Sequence, residues 1–186
     1  MQGVINQASK VQIEGVTVKF SNDNYKGVQE SGKVIYKDCN IENLQFLYAD
    51  EVEFINCKFT QTQDDTYHLW TYSARNVTFT NCEFISTNNS KAVLCYVEGP
   101  FDYTLTRTFN NCKFICEGTS EKSAIMINPT AYGENTYIIN IKNCTATGYA
   151  ENNIAGQEIV GVKNTVKDNI IINIDDITVF NNIGSN

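Results

Sequence analysis

His68 is the only histidine of the chain, and it follows two adjacent carboxylates in Thr62-Gln63-Asp64-Asp65-Thr66-Tyr67-His68. An imidazole beside paired carboxylates has the parts for acid–base hydrolysis, one group protonating a leaving oxygen while another activates water. Adjacent Asp residues in a polar loop also serve as ordinary solvated turn residues, and that plainer role competes here. Arg75 and Arg107 are the only arginines. Arg75 follows an aromatic run, in position to face a groove. Arg107 falls where the local periodicity points inward. A buried, unpaired guanidinium costs several kcal/mol, so the strand is expected to start late and Arg107 to point out. Asp50, Glu51 and Glu53 form an acidic cluster. A calcium site needs about six converging oxygens or more, so a solvated edge is expected. One His and no Cys-x-x-Cys leave no metal site in the pattern.

The aromatic run is Tyr67-His68-Leu69-Trp70-Thr71-Tyr72. Read as a strand, one phase buries Leu69 and Thr71 and exposes His68, Trp70 and Tyr72. The same phase in later segments buries Val93, Cys95 and Val97, then Ile125 and Ile127. It exposes Leu94 and Tyr96, then Met126 and Asn128. Trp70, Leu94 and Met126 then stack as an exposed apolar stripe beside Tyr72 and Tyr96, the mark of a binding or oligomer surface. Aromatic rings of this kind also stack on sugar faces. The candidate ligand-binding residues are therefore His68, Trp70, Tyr72, Leu94, Tyr96 and Met126. The opposite phase makes Trp70 and Leu94 core, and short apolar runs admit both.

The elements that must position these residues recur. Val52-Glu-Phe-Ile-Asn56-Cys57-Lys-Phe59 returns as Val77-Thr-Phe-Thr-Asn81-Cys82-Glu-Phe84, then as Phe109-Asn-Asn111-Cys112-Lys-Phe114. Looser copies carry Asn143-Cys144, Asp38-Cys39, Asp176-Ile177 and Gly15-Val16. The alternation is that of a strand with one face buried. Two consecutive inward positions at the junction need a bend, and Asn, Asp and Gly enter the left-handed region at low cost. Each copy thus reads strand, bend, strand. From Val16 the second junction position recurs at intervals of 23, 18, 25, 30, 32 and 33 residues. Such drift around a fixed motif points to stacked units with variable loops. Between motifs lie further strand-like runs at 44–48, 67–72, 91–97, 123–128 and 158–163, with a loop at 148–156 among the connections.

These repeats, from about residue 11 to 180, resemble the right-handed parallel β-helix of the pectin-lyase-like superfamily. The resemblance implies an all-β fold, a solenoid of about seven turns making one domain over residues 1–186, with a module of a longer chain as one reading of that domain. It implies ladders of bend asparagines and of the cysteines after them: Asn56, Cys57, Asn81, Cys82, Asn111, Cys112, Asn143 and Cys144. It is poor for function, since one fold hosts many activities. Hydrolases of this superfamily carry Asn-Thr-Asp, Gly-His-Gly and Arg-Ile-Lys segments, and none occurs here. That leaves Asp64, Asp65, His68 and Arg75 as weak catalytic candidates. Lyases of this fold use an Arg or Lys base with calcium, so calcium enters only under that alternative and no cofactor is otherwise expected.

Net charge is −7 over 186 residues. That disfavours nucleic acid and anionic membranes as partners, which want a basic patch. No apolar run approaches the ~20 residues of a membrane span. Five of seven cysteines occupy one repeat position, with Cys95 and Cys116 outside it. Strands stack about 4.8 Å apart, a poor match to the ~3.8 Å Cβ separation of a disulfide, so the thiols are expected to be free core residues. Matches to the glycosylation pattern at Asn76, Asn88 and Asn143 are taken as chance. The start lacks a signal peptide, and neither end has an obvious cover, which suggests an excised module or end-to-end contact with another chain. A recognition or adhesion module of a bacterial surface or phage protein is expected, non-enzymatic, binding a polysaccharide or a partner protein. The alternatives are a polysaccharide lyase or glycoside hydrolase, and a self-assembling structural element.

Overall fold

The computed structural model describes residues 10–20, 27–62, 67–71, 74–87, 91–95, 103–118, 120, 122–127, 136–150, 155–157, 170–175 and 180–181. Alternating sequence produces strands throughout. They are β1 (Lys10–Glu14), β2 (Thr17–Lys19), β3 (Gly27–Lys37), β4 (Asn40–Glu42), β5 (Phe46–Ile55) and β6 (Lys58–Gln61). Next come β7 (Tyr67–Trp70), β8 (Asn76–Thr80), β9 (Glu83–Ser86), β10 (Lys91–Cys95), β11 (Leu105–Asn110) and β12 (Lys113–Cys116). The last are β13 (Ile125–Ile127), β14 (Tyr137–Lys142), β15 (Thr145–Thr147), β16 (Ala155–Gln157), β17 (Ile170–Ile174) and β18 (Phe180–Asn181). The described residues include no α-helix, so none is long and apolar enough to cross a membrane.

The pairing between strands is parallel throughout, and nearly all of it joins a residue to its equivalent in the next repeat. One row runs Val11, Val34, Val52, Val77, Arg107, Ile139, Ile172 through β1, β3, β5, β8, β11, β14 and β17. A second runs Val18, Ile41, Phe59, Phe84, Phe114, Ala146 through β2, β4, β6, β9, β12 and β15. A third runs Phe46, Trp70, Leu94, Met126, Gly156, Asn181 through β5, β7, β10, β13, β16 and β18. Strands β3 and β5 are long enough to serve in the first and third stacks at once. In the next repeat β7 ends at Trp70 and β8 begins at Asn76 as a separate strand.

The bends between first and second stacks fall on the residues that tolerate positive φ. Gly15 has φ +67°, Asp38 +53°, Asn56 +53°, Asn81 +54°, Asn111 +54° and Asn143 +52°. Asp176, the seventh expected bend, lies outside the described residues. A bend on another corner has no repeated signature: Asn43 has φ +56°, and its Oδ1 accepts from both the amide and the hydroxyl of Thr62 in the following repeat at 3.0 and 3.1 Å. The strand expected at 158–163 lies outside the described residues too, while β16 begins within the stretch expected to be loop, at Ala155 and Gly156.

Stacking also settles the core. Tyr36, Phe54, Phe79 and Phe109 form one column of parallel rings with centroids 5.1, 5.1 and 5.0 Å apart. Phe59, Phe84 and Phe114 form another at 4.6 and 4.9 Å. The columns meet edge to face, for example Phe79 on Phe84 at 5.3 Å. These are the favourable geometries for aromatic pairs, each worth about 0.5–1.5 kcal/mol beyond area burial.

Candidate functional site

The row through Trp70 runs along the end of β7. Leu69 and Thr71 are buried, so alternation turns Trp70 to the other face, where it is half-buried. Val93, Cys95, Ile125 and Ile127 are buried in the same phase. Met126, expected on the exposed stripe, is instead 0% exposed. The reason is continuous burial: Ser123, Ala124, Ile125, Met126 and Ile127 are all inaccessible, as happens when a parallel sheet is covered on both faces. The stripe is therefore closed at Met126. His68 and Leu94 lie in β7 and β10 by their backbone, but their side chains lie outside what is described. Asp64, Asp65, Tyr72 and Tyr96 lie outside the described residues altogether.

Trp70 and Arg75 are each held by the backbone of neighbouring repeats. Trp70 N donates to Gln45 O at 2.8 Å, and Arg75 N donates to Ala49 O at 3.1 Å. On the other side Thr106 N donates to Arg75 O at 2.8 Å. Arg75 is exposed, and its guanidinium carbon lies 4.2 Å from the centre of the Tyr103 ring. A cation over an aromatic face contributes ~0.5–1 kcal/mol at an exposed position.

Arg107 does not point out, contrary to expectation. It is 0% exposed and takes the inward position between Val77 and Ile139. Its Nη2 donates to Thr71 O at 2.6 Å, and Nη1 donates to Thr106 O at 3.0 Å and Arg75 O at 3.4 Å. Its guanidinium carbon lies 5.2 Å from the Tyr137 ring centre. The burial cost that argued for an outward Arg107 is met by these carbonyls and by the ring. Two titratable groups feel this charge. Burial pushes the Cys95 thiol up to about 11, with Arg107 pulling the other way. Burial likewise pushes the Tyr137 phenol up, again against Arg107.

The bend residues form a side-chain ladder. Asn56 Nδ2 donates to Asp38 Oδ1 at 3.0 Å, Asn81 to Asn56 at 3.1 Å, Asn111 to Asn81 at 3.2 Å and Asn143 to Asn111 at 2.7 Å. Cys57, Cys82, Cys112 and Cys144 follow them inside, and all seven cysteines are buried and free. Their thiols donate to carbonyls, as Cys57 Sγ does to Tyr36 O and Ile55 O, each at 3.4 Å. At Cys82 the Cys112 thiol lowers the pKa, but the Cys57 thiol and burial outweigh it, and the value is pushed up to about 12. These thiols are core, poor nucleophiles and poor ligands.

The acidic cluster is held by a cation. Lys33 Nζ lies 2.8 Å from Glu51 and 2.6 Å from Glu53, while Asp50 accepts from Gly32 N at 3.2 Å. Among the described residues no three or more His, Cys, Asp or Glu side chains are grouped to hold a metal ion. Sequence reasoning missed the Arg107 bonds to Thr71 and Arg75 and the Tyr103 partner of Arg75. The signal for the first was present as an Arg in a row of Val and Ile. Comparison with protein-family models, with curated proteins and with solved structures returned no match.

Proposed function

We propose that the chain is a right-handed parallel β-helix of about seven turns, a module of a bacterial surface or phage protein that binds carbohydrate or a partner protein without chemistry. The observation that carries this reading is a half-buried aromatic ring, Trp70, followed five residues on by an exposed guanidinium, Arg75. A flat ring and a fork of donors are the groups that stack on a sugar face and bind its oxygens. The in-register stacks supply a rigid support for such a surface, which favours recognition.

A glycan array with the intact protein tests it, with Trp70→Ala as the control. Binding that Trp70→Ala reduces at least about tenfold, the loss of ~1.4 kcal/mol, supports the reading. Binding unaffected by Trp70→Ala removes Trp70 from the site. Release of unsaturated products from an acidic polysaccharide would move the reading to the lyase alternative, with Arg75 as its first suspect.

A further inference from the structure

The outward face of the first stack changes character along the molecule. In its early strands the outward residues carry charge and bind one another across repeats. Glu14 holds Lys37 at 2.6 Å, and Lys33 holds Glu51 and Glu53 at 2.8 and 2.6 Å. In β8, β11, β14 and β17 this stops. The row through Glu53 continues as Thr78, Thr108, Asn140 and Asn173. The row through Glu51 continues as Asn76, Thr106, Ile138 and Ile171. Both rows are half-buried through β14 and exposed at β17. On these four strands Lys142 is the one charged residue that points outward. Parallel strands lie about 4.8 Å apart, so the two rows form a regular grid. Part of it is locked: Asn173 Nδ2 donates to Asn140 Oδ1 at 2.8 Å, and Asn140 Nδ2 to Thr108 Oγ1 at 3.3 Å. The side chains of Asn76, Thr78 and Thr106 make no hydrogen bond among the described residues. Strand preference accounts for the threonines, but strands disfavour asparagine, and Asn76, Asn140 and Asn173 all sit in the grid.

We propose that this grid is a second binding surface, on a different stack from Trp70, and that its partner is an uncharged polysaccharide. The two rows hold no charge, in a chain of net charge −7, so nothing in them selects an ion or a charged polymer. They hold no aromatic residue or arginine, the anchors on which protein interfaces depend. What remains are hydroxyls and amides, each able both to donate and to accept, as sugar hydroxyls are. Ile138 and Ile171 add an aliphatic edge, with Ile171 44% exposed, for the apolar face of a sugar ring. The in-register backbone fixes these groups before any partner arrives, which lowers the ordering cost of binding. The choice of a carbohydrate rests on the recognition reading above. The location of the surface does not.

The test measures retention of the full chain on two insoluble uncharged glucans, microcrystalline cellulose and granular starch, with a polygalacturonate gel as the charged comparison. Thr78→Lys combined with Thr106→Lys puts charge on the grid. The first lysine stands opposite Glu53, where it extends the ion pairing of the earlier strands. Thr78→Val combined with Thr106→Val removes two hydroxyls and keeps their shape. Thr145→Lys makes the same kind of change on the second stack, at an exposed position of β15, and should keep wild-type retention. The expected result is retention on at least one glucan that salt leaves unchanged, weakened about tenfold or more in both double variants. Far-ultraviolet dichroism should show the wild-type β spectrum in all of them. No retention on either glucan overturns the grid, as does retention that salt abolishes or that both double variants leave intact. If the lysine variant does not fold, the valine variant decides, and failure of both to fold overturns the grid as a purely structural feature. Trp70→Ala separates the two surfaces. Retention lost there but intact in the double variants overturns the grid and leaves the recognition reading standing. Retention lost in the double variants but intact in Trp70→Ala supports the grid and removes Trp70 from the site. Retention on polygalacturonate alone overturns the grid and leaves carbohydrate recognition standing.

Discussion

Asn81 donates its side-chain amide to Asn56 at 3.1 Å while its own carbonyl accepts from Asn111 at 3.2 Å. The same residue holds a backbone φ of +54°. Asn81 therefore serves as both bend and rung, and two substitutions separate these roles. Asn81→Gly keeps the backbone conformation and loses the rung, at an expected cost of about 1 kcal/mol. Asn81→Ala loses the rung and strains the bend, at about 2–3 kcal/mol. Urea unfolding checks the order. Equal costs would mean that bend strain adds nothing beyond the lost rung.

Phe79 touches four rings, stacked on Phe54 and Phe109 and edge-on to Phe59 and Phe84. Phe79→Ala is expected to cost about 3–5 kcal/mol, and Phe79→Leu clearly less. Denaturant midpoints at constant slope measure both.

Two glycines with similar φ differ in surroundings. A Cβ on Gly148 would sit 2.1 Å from the Cys116 carbonyl oxygen, whereas one on Gly15 would meet nothing within 4 Å. Gly15→Ala is expected to cost ~1 kcal/mol, from backbone strain alone. Gly148→Ala is expected to cost more than about 3 kcal/mol, since backbone must move as well. Thermal melts of the two variants decide this.

Alkaline pH should destabilise the fold. Cys95 is raised to about 11 and Cys82 and Cys112 to about 12, from an ordinary 9.0. A raised thiol pKa means that the folded chain keeps its proton where the unfolded chain has released it. These groups lose nothing below pH 9, and stability falls from there towards pH 11–12. Cys57, whose pKa is lowered chiefly by its bond with Cys82, offsets part of the effect. Urea midpoints measured across this range should fall steadily, by a total on the order of a few kcal/mol. A flat profile would contradict thiol burial.

Thiol accessibility gives an independent check. With all seven cysteines buried, an aromatic disulfide reagent should react slowly at neutral pH in the native protein and completely in denaturant. Rapid reaction of one thiol without denaturant would locate an opening in the core.

The bends and stacks were readable because they depend on local rules repeated many times. Asn56, Asn81, Asn111 and Asn143 each break a period of two at the same place, so every copy reinforces the others. Asn43 escaped because its partner, Thr62, belongs to a different repeat and no neighbouring copy shares its type. Arg107 was misread for a different reason. Its position in the row was legible, but the carbonyls of Thr71 and Arg75 that make burial tolerable lie more than 30 residues away (107 − 75 = 32). Met126 was misplaced because alternation reports which face points inward, and cannot report whether the opposite face is covered as well.

Rungs this alike are interchangeable. Excising residues 57–81 would leave Asn56 directly before Cys82, with Asn111 as the next amide to pair, and duplicating that segment would add a rung with the same fittings at both sides. Chain length is thus a parameter that recombination between repeats can adjust in whole units, and lengthening is the easier direction: duplication keeps a Thr71 and an Arg75 for Arg107, whereas this excision removes both carbonyl partners of its buried guanidinium.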